Sequence, residues 1–74
     1  MKALIHQTSE SSGSCYELYA TATPHSDYVH LKFSSIWTGA KDPYGEQNKF
    51  EALLSKSDIL ILKQLLEDAS DELV

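Results

Sequence analysis

The side chains able to do chemistry are few in this chain, and they are scattered. His6, His25 and His30 supply the imidazoles and Cys15 the single thiol. A zinc site draws on spacings such as C-x-x-C or H-x-x-x-H, because one turn or one helical step then aims two donors at one ion. No pair here has that spacing. His6 and His30 can approach only if their strands are neighbours in a sheet. The reading is no metal and no cofactor, with the histidines as polar residues of a half-exposed sheet face. Cys15 has no base near it in sequence and reads as a small packing residue.

Other constellations fail in the same way. The serines gather in a turn, and none sits on a strand–turn–helix elbow that would expose a nucleophile. Asp42 and Glu46 flank a turn, and most of the other acids lie toward the C-terminal end, so no carboxylate pair is set in a cleft that would split its pKa values. Gly13, Gly39 and Gly45 make no phosphate-binding loop. These failures predict a chain that is not an enzyme.

Eleven acids against six lysines, with no arginine, give a formal charge of −5. A protein that grips phosphates clusters its cations; these are dispersed, so direct nucleic-acid binding is not expected. Glu67, Asp68, Asp71 and Glu72 concentrate the excess near the end, where they read as a solvated helix face. A lone cysteine forms no intrachain disulfide, which suits a reducing compartment. Met1–His6 is too short in apolar residues for a secretory leader, and Ile59–Leu62 is too short to cross a bilayer. The expectation is a soluble cytoplasmic protein with no membrane partner.

The elements that must position these groups are easier to read. Residues 1–74 are short enough for one small α+β domain. Lys2–Thr8 alternates weakly. Cys15–Thr23 alternates clearly, with Tyr16, Leu18, Ala20 and Ala22 opposed to Cys15, Glu17, Tyr19 and Thr21. Tyr28–Thr38 places Val29, Leu31 and Phe33 against Tyr28, His30, Lys32, Ser34 and Ile36, with a bulge expected near Ser34–Ser35. Ser9–Ser14 reads as a flexible turn. Asp42-Pro43-Tyr44-Gly45 has type I turn chemistry. Asn48–Leu54 is a last strand, with Phe50, Ala52 and Leu54 on one face.

A helix follows at once. Ser55 to Asp58 is a capping box, with Leu54 and Ile59 placed as a hydrophobic staple. At about 100° per residue, Ile59, Ile61, Leu62, Leu65, Leu66, Ala69 and Leu73 share one arc of roughly 160°. Leu60 falls among the polar residues. The predicted fold is a two-layer ββββα domain: an antiparallel sheet of three to four strands, with one amphipathic helix packed on one face. Leu18, Ala20, Val29, Leu31, Phe33, Phe50 and Ala52 should receive the helix.

A chain this small, without disulfide or metal, is marginal alone and gains from self-association. The sheet face away from the helix mixes aromatic, basic and acidic residues, as protein interfaces tolerate. The functional expectation is a non-catalytic protein-interaction or regulatory module that forms a homodimer. Its candidate contact residues are Tyr19, Tyr28, His30, Lys32, Ile36, Tyr44, Leu53 and Leu60. Trp37 is either a core residue or a loop anchor. In size, acidity and plan the chain resembles the small accessory proteins of phages, prophages and plasmids. No motif carries that resemblance, and it assigns no residue. A second expectation is an acidic antagonist that mimics nucleic acid on a host protein; a third is a minor enzyme or ligand-binding domain.

Overall fold

Alternating side chains set the sheet. The computed structural model describes residues 1–9, 13, 15–37 and 45–73. Its strands are β1 (Lys2–Ser9), β2 (Cys15–Pro24), β3 (Val29–Trp37) and β4 (Gln47–Leu54), followed by helix α1 (Lys56–Asp71). The order in the sheet is β1-β2-β3-β4, with every pair antiparallel. This is the expected ββββα order of an α+β chain. Asp42-Pro43-Tyr44 and most of the Ser9–Ser14 turn lie outside the described residues. Gly13 has φ +89°, a left-handed backbone that favours glycine at the β1–β2 turn.

Two irregularities tune the register. Between Leu4 and His6 the β1–β2 pairing shifts, and Ile5 is the residue left over. Between Phe33 and Ser34 the β3–β4 pairing shifts, and the extra residue is Lys49 on β4. The bulge expected near Ser34–Ser35 is therefore present at that level but carried by the neighbouring strand. β3 keeps its alternation to the end, pairing Trp37 with Tyr16. Trp37 thus lies on the same face as Phe33. At the other end Pro24 still pairs with Val29, beside a tight turn in which the His25 N–H donates to the Tyr28 carbonyl at 2.8 Å. A proline at the last position of a strand costs no inner ladder bond.

The helix starts as its sequence dictates. Ser55 is extended, with φ −72° and ψ 170°. Its Oγ accepts the Asp58 N–H at 3.2 Å, and its own N–H donates to Asp58 Oδ2 at 2.9 Å. Two amides that the first turn leaves unpaired are satisfied in this way.

What the helix does not do is cover the sheet. Its contacts are chiefly with β4, to which it is joined. Leu66, in the middle of the apolar stripe, is 60% exposed, against 54% for Leu60 on the polar side. No hydrophobic side chain among the described residues is buried; the buried residues are Ser34 and Ser35. The expected packing of the helix on the sheet is corrected here, and the reason is the connection. β4 ends at Leu54 and α1 begins at Lys56. One extended residue links them, where strand-to-helix loops commonly use roughly two to six. The chain has no length in which to turn back. Accordingly the radius of gyration is 15.0 Å, against roughly 11 Å for a compact domain of this length.

Replacing Ser55 by Ala removes one half of the capping box. The expected loss is about 1 kcal/mol in urea denaturation followed by far-ultraviolet circular dichroism. Ser55→Asp, another good cap, should restore most of it.

Candidate functional site

The two faces of the sheet differ in kind. One face carries Lys2, Glu17, Tyr19, Lys32, Ser34, Ile36, His30, Glu51 and Leu53, as the registers place them. Its polar groups bind one another. The Tyr19 hydroxyl donates to Glu17 Oε2 at 2.6 Å. Lys2 Nζ lies 3.2 Å from Glu46 Oε1 and 4.7 Å from the centre of the Tyr19 ring. The Ser34 hydroxyl donates to the same Glu46 oxygen. His30 Nε2 meets Glu51 Oε2 at 2.8 Å, and the Asn48 amide donates to Glu51 Oε1. Lys2 belongs to β1 and Glu46 precedes β4, so residues of the two sheet edges meet over this face.

The electrostatics follow the same contacts. The Ser34 hydroxyl, then Lys2, holds the Glu46 carboxyl below the ordinary glutamate range. His30, with help from Asn48, does the same for Glu51, against the partial desolvation that opposes it. The carboxylate of Glu17 accepts the Tyr19 hydroxyl and pushes that phenol's pKa up. The contacts favour the charged form of the two glutamates and the neutral form of Tyr19.

The opposite face is apolar. Val29, Leu31 and Phe33 of β3 lie between Leu18, Ala20 and Ala22 of β2 and Phe50, Ala52 and Leu54 of β4. The Phe33 and Phe50 rings are 6.1 Å apart and tilted by 49°, an edge-biased pairing. Phe50 is nevertheless 53% exposed, and Trp37 is exposed at the end of the same face. Ile59 of α1 lines a shallow open groove with Val29, His25, Ser26, Asp27, Tyr28 and Lys56. The start of the helix stripe therefore continues the sheet's apolar face.

The candidate contact residues distribute as follows. Tyr19, His30, Lys32, Ile36 and Leu53 share the polar face. Tyr28 is outside the strands and stacks on His25, ring centres 4.5 Å apart. Leu60 is exposed on the helix, and Tyr44 lies outside the described residues. The hydrophobic residues of the polar face include Leu4, Ile36 and Leu53, of which Leu4 and Leu53 are exposed. Trp37 and Phe50 are exposed on the other face, among the residues expected to receive the helix. Their alternation marks them as core; beyond Ile59 beside Val29, the helix leaves that face largely uncovered.

The chemistry-bearing residues stay apart. His6 pairs with Leu18 on the apolar face, while His30 is on the polar face of a strand not adjacent to β1. The approach that a shared site requires is absent. Among the described residues no cluster of three or more His, Cys, Asp or Glu side chains is arranged to hold a metal ion. Cys15 is half-buried, its Sγ 3.8 Å from Ser9 Oγ. Among the described residues no helix is long and apolar enough to cross a membrane. Compared with protein-family models, curated proteins and solved structures, the chain matches none.

Ser34→Ala should return the Glu46 pKa toward the ordinary glutamate value in a carbon-13 carboxyl titration. The sign follows from the lowered folded value: the contribution is fully present above the unfolded pKa and is lost as pH falls through the folded one. An unchanged titration would show that Lys2 alone holds the carboxylate.

Proposed function

We propose that this chain is a non-catalytic protein-interaction module that acts as a homodimer, through the apolar sheet face and the helix stripe. The observation that carries the reading is the contrast between the faces. On one, the polar groups bind one another and Leu4 and Leu53 are its exposed large hydrophobics; the other joins Phe50 and Trp37 to an apolar strand face and, through Ile59, to the helix stripe with its exposed Leu65 and Leu66. Monomeric soluble proteins rarely expose a contiguous apolar patch beyond a few hundred Å².

The surface area agrees in size. The chain exposes 5787 Å², where a compact monomer of its mass exposes roughly 4,600 Å². The excess, on the order of 1,200 Å² per chain, is in the range that stable dimers bury on each partner. The reading moves the contact from the mixed face to the apolar one. Tyr19, His30, Lys32 and Leu53 then remain on the outside of the dimer.

The acidic-antagonist reading has less support. On the polar face acids are matched by Lys2 and His30. Among the described residues, a group of acids without an ion pair, Asp68, Asp71 and Glu72, is at the end of α1, where Lys63 lies 4.0 Å from Glu67. That is a small patch for mimicry of a phosphate backbone.

Sedimentation velocity at micromolar concentration tests the proposal. Wild type should sediment above the 8.3 kDa protomer, and its melting temperature should rise with concentration, as mass action requires. Phe50→Glu, on the apolar face, should give a monomer. Leu53→Glu, on the polar face of the same strand, should leave the dimer intact. A wild-type protein that remains monomeric at ~100 μM, where contacts of this size are normally saturated, ends the reading.

A further inference from the structure

We infer that the dimer exchanges helices: α1 of each copy lies on the apolar sheet face of the other. The inference rests on the self-association reading and adds the arrangement, which three observations on this chain fix.

The first is the hinge. Ser55 alone separates β4 from α1, and the capping box holds it extended. A short, constrained hinge directs an element away from its own domain, and exchange between identical copies is the low-cost way to satisfy it. The second is complementarity within one sequence. The helix stripe of Leu62, Leu65, Leu66 and Ala69 has the width of a face made to sit on a layer. The sheet offers that layer, low over Ala20 and Ala52 and ridged by Phe33 and Phe50. The third is that both surfaces are open at once. Sheet-to-sheet stacking covers the sheets and leaves the helices bare. Helix-to-helix pairing does the reverse. Reciprocal helix-on-sheet contact covers both with one two-fold operation.

The occupant of the apolar face is therefore a second copy of this chain. The area supports that choice, because the surplus exposure of one protomer is of the order that stable dimers bury on each partner. Lys2, Glu46 and Ser34 bind one another over the polar face, which makes the apolar face the better match for the helix stripe.

The decisive experiment lengthens the hinge in the full chain. Four residues, Gly-Ser-Gly-Ser, are inserted between Leu54 and Ser55. They span up to about 13 Å, enough to cross a layer spacing of roughly 10 Å. The helix can then reach its own sheet at an effective concentration of order mM, against micromolar for a partner's helix. The expected result is a monomer in sedimentation velocity, with dimerisation weakened by about a hundredfold or more. The same insertion should keep Trp37 fluorescence and helix content at wild-type levels. An insertion variant that dimerises with wild-type affinity overturns the exchange.

A second measurement uses wild type. Chains with carbon-13-labelled leucine methyls are mixed with unlabelled chains and re-equilibrated. Nuclear Overhauser effects filtered for contacts between copies should join Leu65 and Leu66 methyls to the Phe33 and Phe50 rings. Contacts between copies that run only from helix to helix, or only from sheet to sheet, would also overturn it. A monomeric wild type instead removes the self-association reading, so the two failures are distinct.

Discussion

The structure depends on one residue, Ser55, and on what its backbone is required to do. It ends a strand, caps a helix and supplies the whole connection between them. Its hydroxyl and amide are both committed to Asp58. A residue so engaged has no freedom left to bend the chain. The direction of α1 is set there, and with it the exposure of everything α1 was built to cover.

That constraint explains an apparent conflict between levels. Locally the chain is consistent: strands alternate, the helix is amphipathic, and the cap has the chemistry a cap needs. Globally the parts do not close on themselves, and no hydrophobic side chain among the described residues is buried. In the proposed dimer, the core left unfilled within one copy is completed by a second copy. Small domains reach this state readily, since a 74-residue chain has little interior to begin with.

Much of the fold was legible in the residues. Period-two alternation located all four strands, and the Ser55-to-Asp58 box located the helix start. The members of the apolar face were also legible, because alternation at Val29, Leu31 and Phe33 survives to Trp37. Alternation shows which side chains share a face, but carries no information about what covers that face. For that reason alternation alone points the helix at its own sheet. The bulge illustrates a related limit. A register shift belongs to a pair of strands, and Ser34-Ser35 gave no sign that Lys49, on the partner strand, would be the extra residue. The ion pairs were less legible still. Lys2 and Glu46 are 44 positions apart, and a pair so distant leaves no local signal.

The polar face is tied together by the same contact. Met1 and Lys2 lie at one end of the chain; the Met1 amino group donates to the Ala22 carbonyl at 3.1 Å, and Lys2 reaches across toward β4. These exposed contacts contribute little individually, as surface ion pairs do. Their effect is directional. They pair the polar groups of one face with one another. The asymmetry then follows from sequence order. Charged and hydrogen-bonding residues occupy the odd positions of β2 at Glu17, Tyr19 and Thr21, and apolar ones the even positions at Leu18, Ala20 and Ala22. A one-residue insertion inside β2 would exchange the faces beyond it and place Tyr19 where Ala20 now sits. A sheet so strictly sided leaves one surface to be covered, and the hinge at Ser55 keeps the chain's own helix from covering it.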